Sequence, residues 1–219
     1  ITMTSTGVTD FGRTHAAVVM TTMKTENLLA AVHAVRPTSP DIIGDAHSVD
    51  GIVARAVSFR GTAHVMFDTA RQDSFALASN DSWFVAVVSD GIGSCENSHH
   101  GSVAASSAVA RAIADGSVDP SDSNELMSVA SSACMDAAHG MGVESGSLSA
   151  TLTIAVLERA AHVDGSRAGT LHAVGDSPAL ILDPHTAEWT YLTSSDDGPS
   201  NVVRSWVPDK YSDAFSVEF

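Results

Sequence analysis

The sequence predicts an α+β fold built on antiparallel sheets, and three observations carry that expectation. Strand-length apolar runs come first, two helical patterns follow, and strands then return. Successive strands are joined by connections too short for the crossover helix that each parallel pair requires. Between the last two strand patterns, "DPHT" at 183–186 puts Pro184 at the second position of a type I turn, which makes them a hairpin. The 219 residues are enough for one main domain with a large core. With 44% hydrophobic but only 5% aromatic residues, that core is expected to pack Ala, Val, Leu and Ile closely.

Taken in chain order, "RTHAAVVMTTMKTENLLAAVHAVRP" (13–37) carries Val18, Val19, Met23, Leu28, Leu29 and Val32 at roughly helical spacing, and Pro37 stops it. One or two helices are expected there. "TSPDIIGDAHSVDG" (38–51) is rich in turn formers, so residues 1–45 read as an N-terminal helical extension and 46–219 as the main domain. "IVARAVSF" (52–59) and "WFVAVVS" (83–89) read as core strands. "SVAASSAVARAIADG" (102–116) reads as a helix of small residues, with Val103, Ala110 and Ile113 on one stripe, Ser102 as N-cap and Gly116 past the end. A second helix is expected over "SNELMSVASSACMDAAHG" (123–140), where Leu126, Val129, Ala133 and Ala137 recur and Gly140 ends the pattern. Strands return at 149–158, 169–174, 178–182 and 188–193. There is no internal repeat and no low-complexity tract.

Charge excludes some functions. Against 26 acidic residues stand 11 basic ones, a formal net charge of −15 that repels nucleic-acid phosphates and anionic lipid. Neither nucleic acid nor membrane is therefore expected as a partner. Cys95 and Cys134 make no disulfide framework, no run approaches the roughly 18 apolar residues of a membrane span, and the first residues lack the pattern of a secretion signal. The expected compartment is the cytoplasm. The chain begins at Ile1 rather than methionine, which predicts a piece of a longer product.

One stretch asks for a chemical explanation. In "VSDGIGS" (88–94) an apolar strand runs straight into Asp90, followed by two glycines. Such a carboxylate serves an ordinary turn, the support of a nucleophile, or a metal held at the rim of a sheet. Hard divalent cations favour oxygen ligands, and a carboxylate at a strand end is held rigidly by the sheet behind it. His99 and His100 invite a transition-metal reading, but loop histidines are mostly solvated. "GDSP" (175–178) carries part of a trypsin-like nucleophile motif, yet Pro178 lacks the backbone donor that an oxyanion hole needs.

Four stretches in one order, "RQDSFAL" (71–77), "VSDGIGS" (88–94), "LSATLTIAVL" (148–157) and "HAVGDSPALIL" (172–182), resemble the metal-dependent serine/threonine phosphatases of the PPM, or PP2C, type. The resemblance spans about residues 52–207. It implies a PP2C-like sandwich of two antiparallel β-sheets flanked by α-helices, with a two-metal site at one end. It further implies Mn2+ or Mg2+ as cofactor, two ions with an accessory third in many bacterial members, and a phosphorylated protein as substrate. The phosphomonoester would be hydrolysed by a metal-activated water. By the same resemblance Asp90 bridges the ions, the Gly91 carbonyl reaches one of them, Asp73 holds the metal or its water shell, and Asp176 reaches the accessory ion. Asp90 and Asp73 are then the catalytic carboxylates. Read without the resemblance, Asp73 equally suits a turn cap and Asp176 a turn between strands.

Departures from the family pattern point to a divergent bacterial branch. Asp68 stands where the family's phosphate-anchoring arginine is usual, Gln72 replaces its glutamate, Ser94 its second loop glycine and Pro178 the arginine after Gly-Asp-Ser. His64 and Arg71 are the candidates left for a phosphate contact. Family members continue, after the segment resembling 201–219, into a strand ending in a second metal-binding Asp-Gly and later an Asp-Asn, and the chain stops at Phe219 before either one. Asp196, Asp197, Asp209 and Asp213 lack the apolar strand that would aim them at the site. The expectation is a C-terminally incomplete phosphatase domain, whose 219 residues alone bind metal weakly and turn nothing over. The alternative is a non-catalytic PPM-like regulatory or phosphoprotein-binding module.

Overall fold

The computed structural model describes residues 2–4, 15–22, 33–34, 41–193 and 203–219. Its strands, in chain order, are β1 (Thr2–Thr4), β2 (His15–Thr22), β3 (His33–Ala34), β4 (Ile42–Val49), β5 (Ile52–Phe59), β6 (Ser74–Ser79), β7 (Trp83–Ser89), β8 (Leu152–Glu158), β9 (Gly169–Val174), β10 (Ala179–Leu182), β11 (Trp189–Tyr191) and β12 (Phe215–Glu218). Helix α1 (Thr62–Met66) joins β5 to β6, while α2 (Ser98–Asp115) and α3 (Ser123–Met141) lie between β7 and β8. The strands form two six-stranded sheets, ordered β11-β10-β1-β2-β5-β4 and β12-β9-β8-β7-β6-β3, and every pairing between named strands is antiparallel.

The two sheets face each other across a core that includes Ile52, Ala54, Phe75, Leu77, Phe84, Ala86 and Leu171. A second core lies on the other face of the β6–β9 sheet, where Val85, Val87 and Ile154 meet Ala105, Val109, Leu126 and Met127 of α2 and α3. This explains why β6, β7 and β8 read as nearly continuous apolar runs. Each is covered on one face by a sheet and on the other by helices, so alternation with polar residues disappears. Small side chains let the layers approach. At Gly101 an added Cβ would lie 1.8 Å from the Leu148 carbonyl oxygen, so α2 seats on the 3-10 turn Ser145–Leu148 only without a side chain there.

The α+β antiparallel expectation holds, and the strands expected at 52–59, 83–89 and 169–174 occur at those bounds. The β10–β11 hairpin forms around Pro184, with the Asp183 N–H donating to the Glu188 carbonyl at 2.9 Å. Three readings are corrected. The helical reading of 13–37 fails at His15–Thr22, which is strand β2 paired over its whole length with β5. Its Val and Thr residues suit a pleated surface, and tertiary pairing decides such an ambiguous pattern. Ser102 is not an N-cap: α2 begins four residues earlier, after Asn97. The αL cap of α3 is Gly142 rather than Gly140, whereas Gly116 caps α2 as expected.

Candidate functional site

Register brings the motif residues to one place. Ser74 pairs with Ser89, Val88 with Thr153 and Leu152 with Val174, and Gly91 forms a bridge with Ala150. Continuing these ladders by one or two residues puts Asp73, Asp90, Thr151 and Gly175 in a single row across one end of the sheet. The Thr151 N–H donates to the Asp90 carbonyl at 2.8 Å, and the Thr151 hydroxyl accepts from the Asp90 N–H at 3.2 Å. Side chains alternate along a strand, and Phe75 and Val88 face the gap between the sheets, so positions 73 and 90 face that same gap at its end.

Hydroxyl groups stitch this row to its neighbours. Thr151 Oγ1 and Ser177 Oγ are 2.8 Å apart, which ties the Gly175–Ser177 loop to the residue hydrogen-bonded to the Asp90 backbone. The Ser102 hydroxyl donates to the Gln72 carbonyl, and the Ser74 hydroxyl donates to the Ser102 carbonyl at 2.6 Å, lacing α2 to the segment carrying Asp73. Gly91 sits where these segments converge. A Cβ there would lie 2.8 Å from the Ser98 backbone and 2.9 Å from the Gln72 carbonyl oxygen, so only glycine allows the approach. Thr151, Ser102, Ser58 and Ser74 were not legible as site residues; hydroxyls at the ends of apolar strands and in the small-residue helix were the available signal.

Individual carboxylates differ in setting. Asp90 is half-buried at the end of β7. Asp73 is 1% exposed, with its carbonyl accepting from the Ser58 hydroxyl at 2.9 Å. Asp176 is exposed on its loop while the adjacent Ser177 is buried. The structure therefore gathers the segments of Asp73, Asp90, Gly91 and Asp176 at one end of the sandwich.

Arg71, a candidate for the phosphate contact, is buried beside Asp73. Its side chain is turned between the sheets, 3% exposed, and donates to the Ser58 hydroxyl at 2.7 Å and to the Asp73 carbonyl. Burial lowers its pKa, and the charge of Asp73 partly offsets this. Arg71 and Asp73 are two residues apart and so share a face, which makes the guanidinium an internal counter-charge rather than a group held out to solvent. His64, on α1, has Nδ1 2.8 Å from the Thr69 hydroxyl, and burial, then the charge of Arg60, lowers its pKa. Asp68 is exposed at φ 52° and pairs with Arg60 at 3.2 Å. His99 and His100 lie against each other in the first turn of α2, with ring centroids 4.1 Å apart and planes tilted by 40°, and burial, followed by the charge of His100, pushes His99 down to about 4.

Among the described residues no three His, Cys, Asp or Glu side chains form a group able to hold a metal ion. Asp209 accepts a long 3.5 Å bond from the Ser145 hydroxyl and Asp213 accepts from Ser212 at 3.2 Å, while Asp196 and Asp197 lie outside the described residues. Asp90 with the Gly91 carbonyl suits one ligand position of a divalent-ion centre, since both are oxygen donors fixed at a strand end. The described residues by themselves do not complete a two-ion centre.

An antiparallel β-sandwich with helices on the β6–β9 sheet and acidic loops gathered at one end defines the class. The chain belongs to the protein phosphatase 2C family, whose model matches residues 60–205. No curated protein and no solved structure gives a significant match. Among the described residues no helix is long and apolar enough to cross a membrane.

Proposed function

We propose that this protein is a phosphoprotein phosphatase acting on phosphoserine or phosphothreonine, and that its hydrolysis of phosphomonoesters depends on Mn2+ or Mg2+. The observation that carries this reading is the single row of Asp73, Asp90, Thr151 and Gly175, with Gly91 and Asp176 one residue beyond it. Asp90 and the Gly91 carbonyl would hold a divalent ion there, with Asp73 and Asp176 supplying further carboxylate charge. Thr151 fixes the Asp90 backbone, and Arg71 compensates the buried charge of Asp73. The test is phosphate release from a phosphoserine peptide by the protein at its natural length. Release that requires Mn2+ or Mg2+ and stops reversibly with EDTA is expected; release of the same rate in EDTA contradicts it.

A second reading, a non-catalytic module that binds phosphoproteins, is favoured by the absence of a three-residue metal group among the described residues. It predicts binding of the phosphopeptide without release of phosphate at any metal concentration.

A further inference from the structure

Beside the Asp90 loop lies a cavity of about 430 Å³ whose lining includes Ile92, Cys95, Ser149, Val203, Trp206 and Asp209. It adjoins the candidate site directly. The Ile92 N–H donates to the Ser149 carbonyl at 2.9 Å, and Ala150 bridges both Gly91 on one side and Val207 on the other. One wall is thus the loop that follows Asp90, and the other is the segment around Trp206.

The lining pairs an apolar channel with one charge. Ile92, Val203 and the Trp206 indole offer hydrocarbon and an aromatic face, while Asp209 is the one ionisable carboxylate and no lysine or arginine lines the cavity among the described residues. The Asp209 carboxylate is exposed and accepts a long 3.5 Å bond from the Ser145 hydroxyl. The indole already attracts a cation: Lys210 Nζ lies 5.2 Å from its ring centroid. An aliphatic stem ending in a positive charge matches this combination, with methylenes on the apolar wall and the head group at the carboxylate. The net charge of −15 adds a field that draws basic peptides.

We propose that this cavity receives an arginine or lysine side chain of the phosphoprotein substrate, close in sequence to the phosphorylated residue, with Asp209 and Trp206 setting the preference. This rests on the phosphatase reading of the neighbouring site.

The test uses binding, so that it stands apart from turnover. Fluorescent phosphoserine peptides carry a single arginine moved through the three positions on either side of the phosphoserine, with an all-alanine peptide as reference. Anisotropy is measured on the full-length protein. At least one arginine position is expected to bind about fivefold tighter than the alanine peptide. That advantage should fall below about twofold in Asp209→Asn and shrink at high salt. A flat profile across the wild-type set, or an advantage kept in Asp209→Asn, overturns the proposal. Failure to release phosphate from any of these peptides counts against the phosphatase reading and leaves the binding comparison to decide this one.

Discussion

The two ends of the sandwich are closed by different means. At the end opposite Asp90, Arg159 pairs with Asp50 at 2.6 Å and reaches the Asn80 carbonyl, Arg167 reaches the Asp50 carbonyl, and Asn80 accepts from the Ser82 and Trp83 N–H groups at 2.9 and 2.8 Å. These are turns and partly exposed ion pairs. At the Asp90 end the hydroxyls are buried and neutral, and they tie separate segments together: Ser58 with Asp73, Ser102 with Gln72, Thr151 with Ser177. Exposed ion pairs contribute little, whereas buried polar groups cost dearly when a partner is removed. A protein carries that cost only where the arrangement is fixed by many elements at once, which is what a site needs.

That contrast can be broken most sharply at Arg71. Arg71→Met leaves the buried Asp73 carboxylate without its counter-charge and should cost about 3–5 kcal/mol in urea unfolding, with the double variant carrying Asp73→Asn recovering part of it. A loss below about 1 kcal/mol would show that Asp73 draws its compensation elsewhere. Gly101→Ala should cost about 3 kcal/mol, because its Cβ would be driven into the Leu148 carbonyl and α2 would have to lift from the turn beneath it.

A pH titration sharpens the same comparison. His99 has its folded pKa lowered to about 4, so folding favours the neutral ring. The stability tied to it is fully present above the unfolded value near 6.5 and is lost as pH falls from there towards 4. Discounted for the ring's partial exposure to solvent, the loss should be on the order of 1–2 kcal/mol, and His99→Gln should flatten that window; an unchanged profile would contradict the assignment. At the opposite end, Arg159→Gln should cost under about 1 kcal/mol in the same unfolding assay.

Much of this fold is legible because its signals are local. The β7 run ends where Ser89 meets Asp90, β9 stops at Gly175, and α2 ends on Gly116, each a property of a few adjacent residues. His15–Thr22 was misread because apolar pairs mixed with threonine suit either periodicity, and only pairing with β5 decides. At the site, Asp90 was readable as a strand running into Asp-Gly. The inward turn of Arg71 and the bridging role of Thr151 were not. Both depend on how separate strands come into register, and no local pattern encodes that register.

The most direct measurement sets one substitution at each end in the same assay. In the full-length protein with Mn2+, kcat/KM for a phosphoserine peptide is compared between wild type, Asp90→Asn and Arg159→Gln. Removing one negative charge from the ion-facing position should cost about a hundredfold or more, while the change at the opposite end should stay within about twofold. An Asp90→Asn enzyme with near wild-type rate and unchanged metal dependence would contradict the placement of the site at this end of the sandwich.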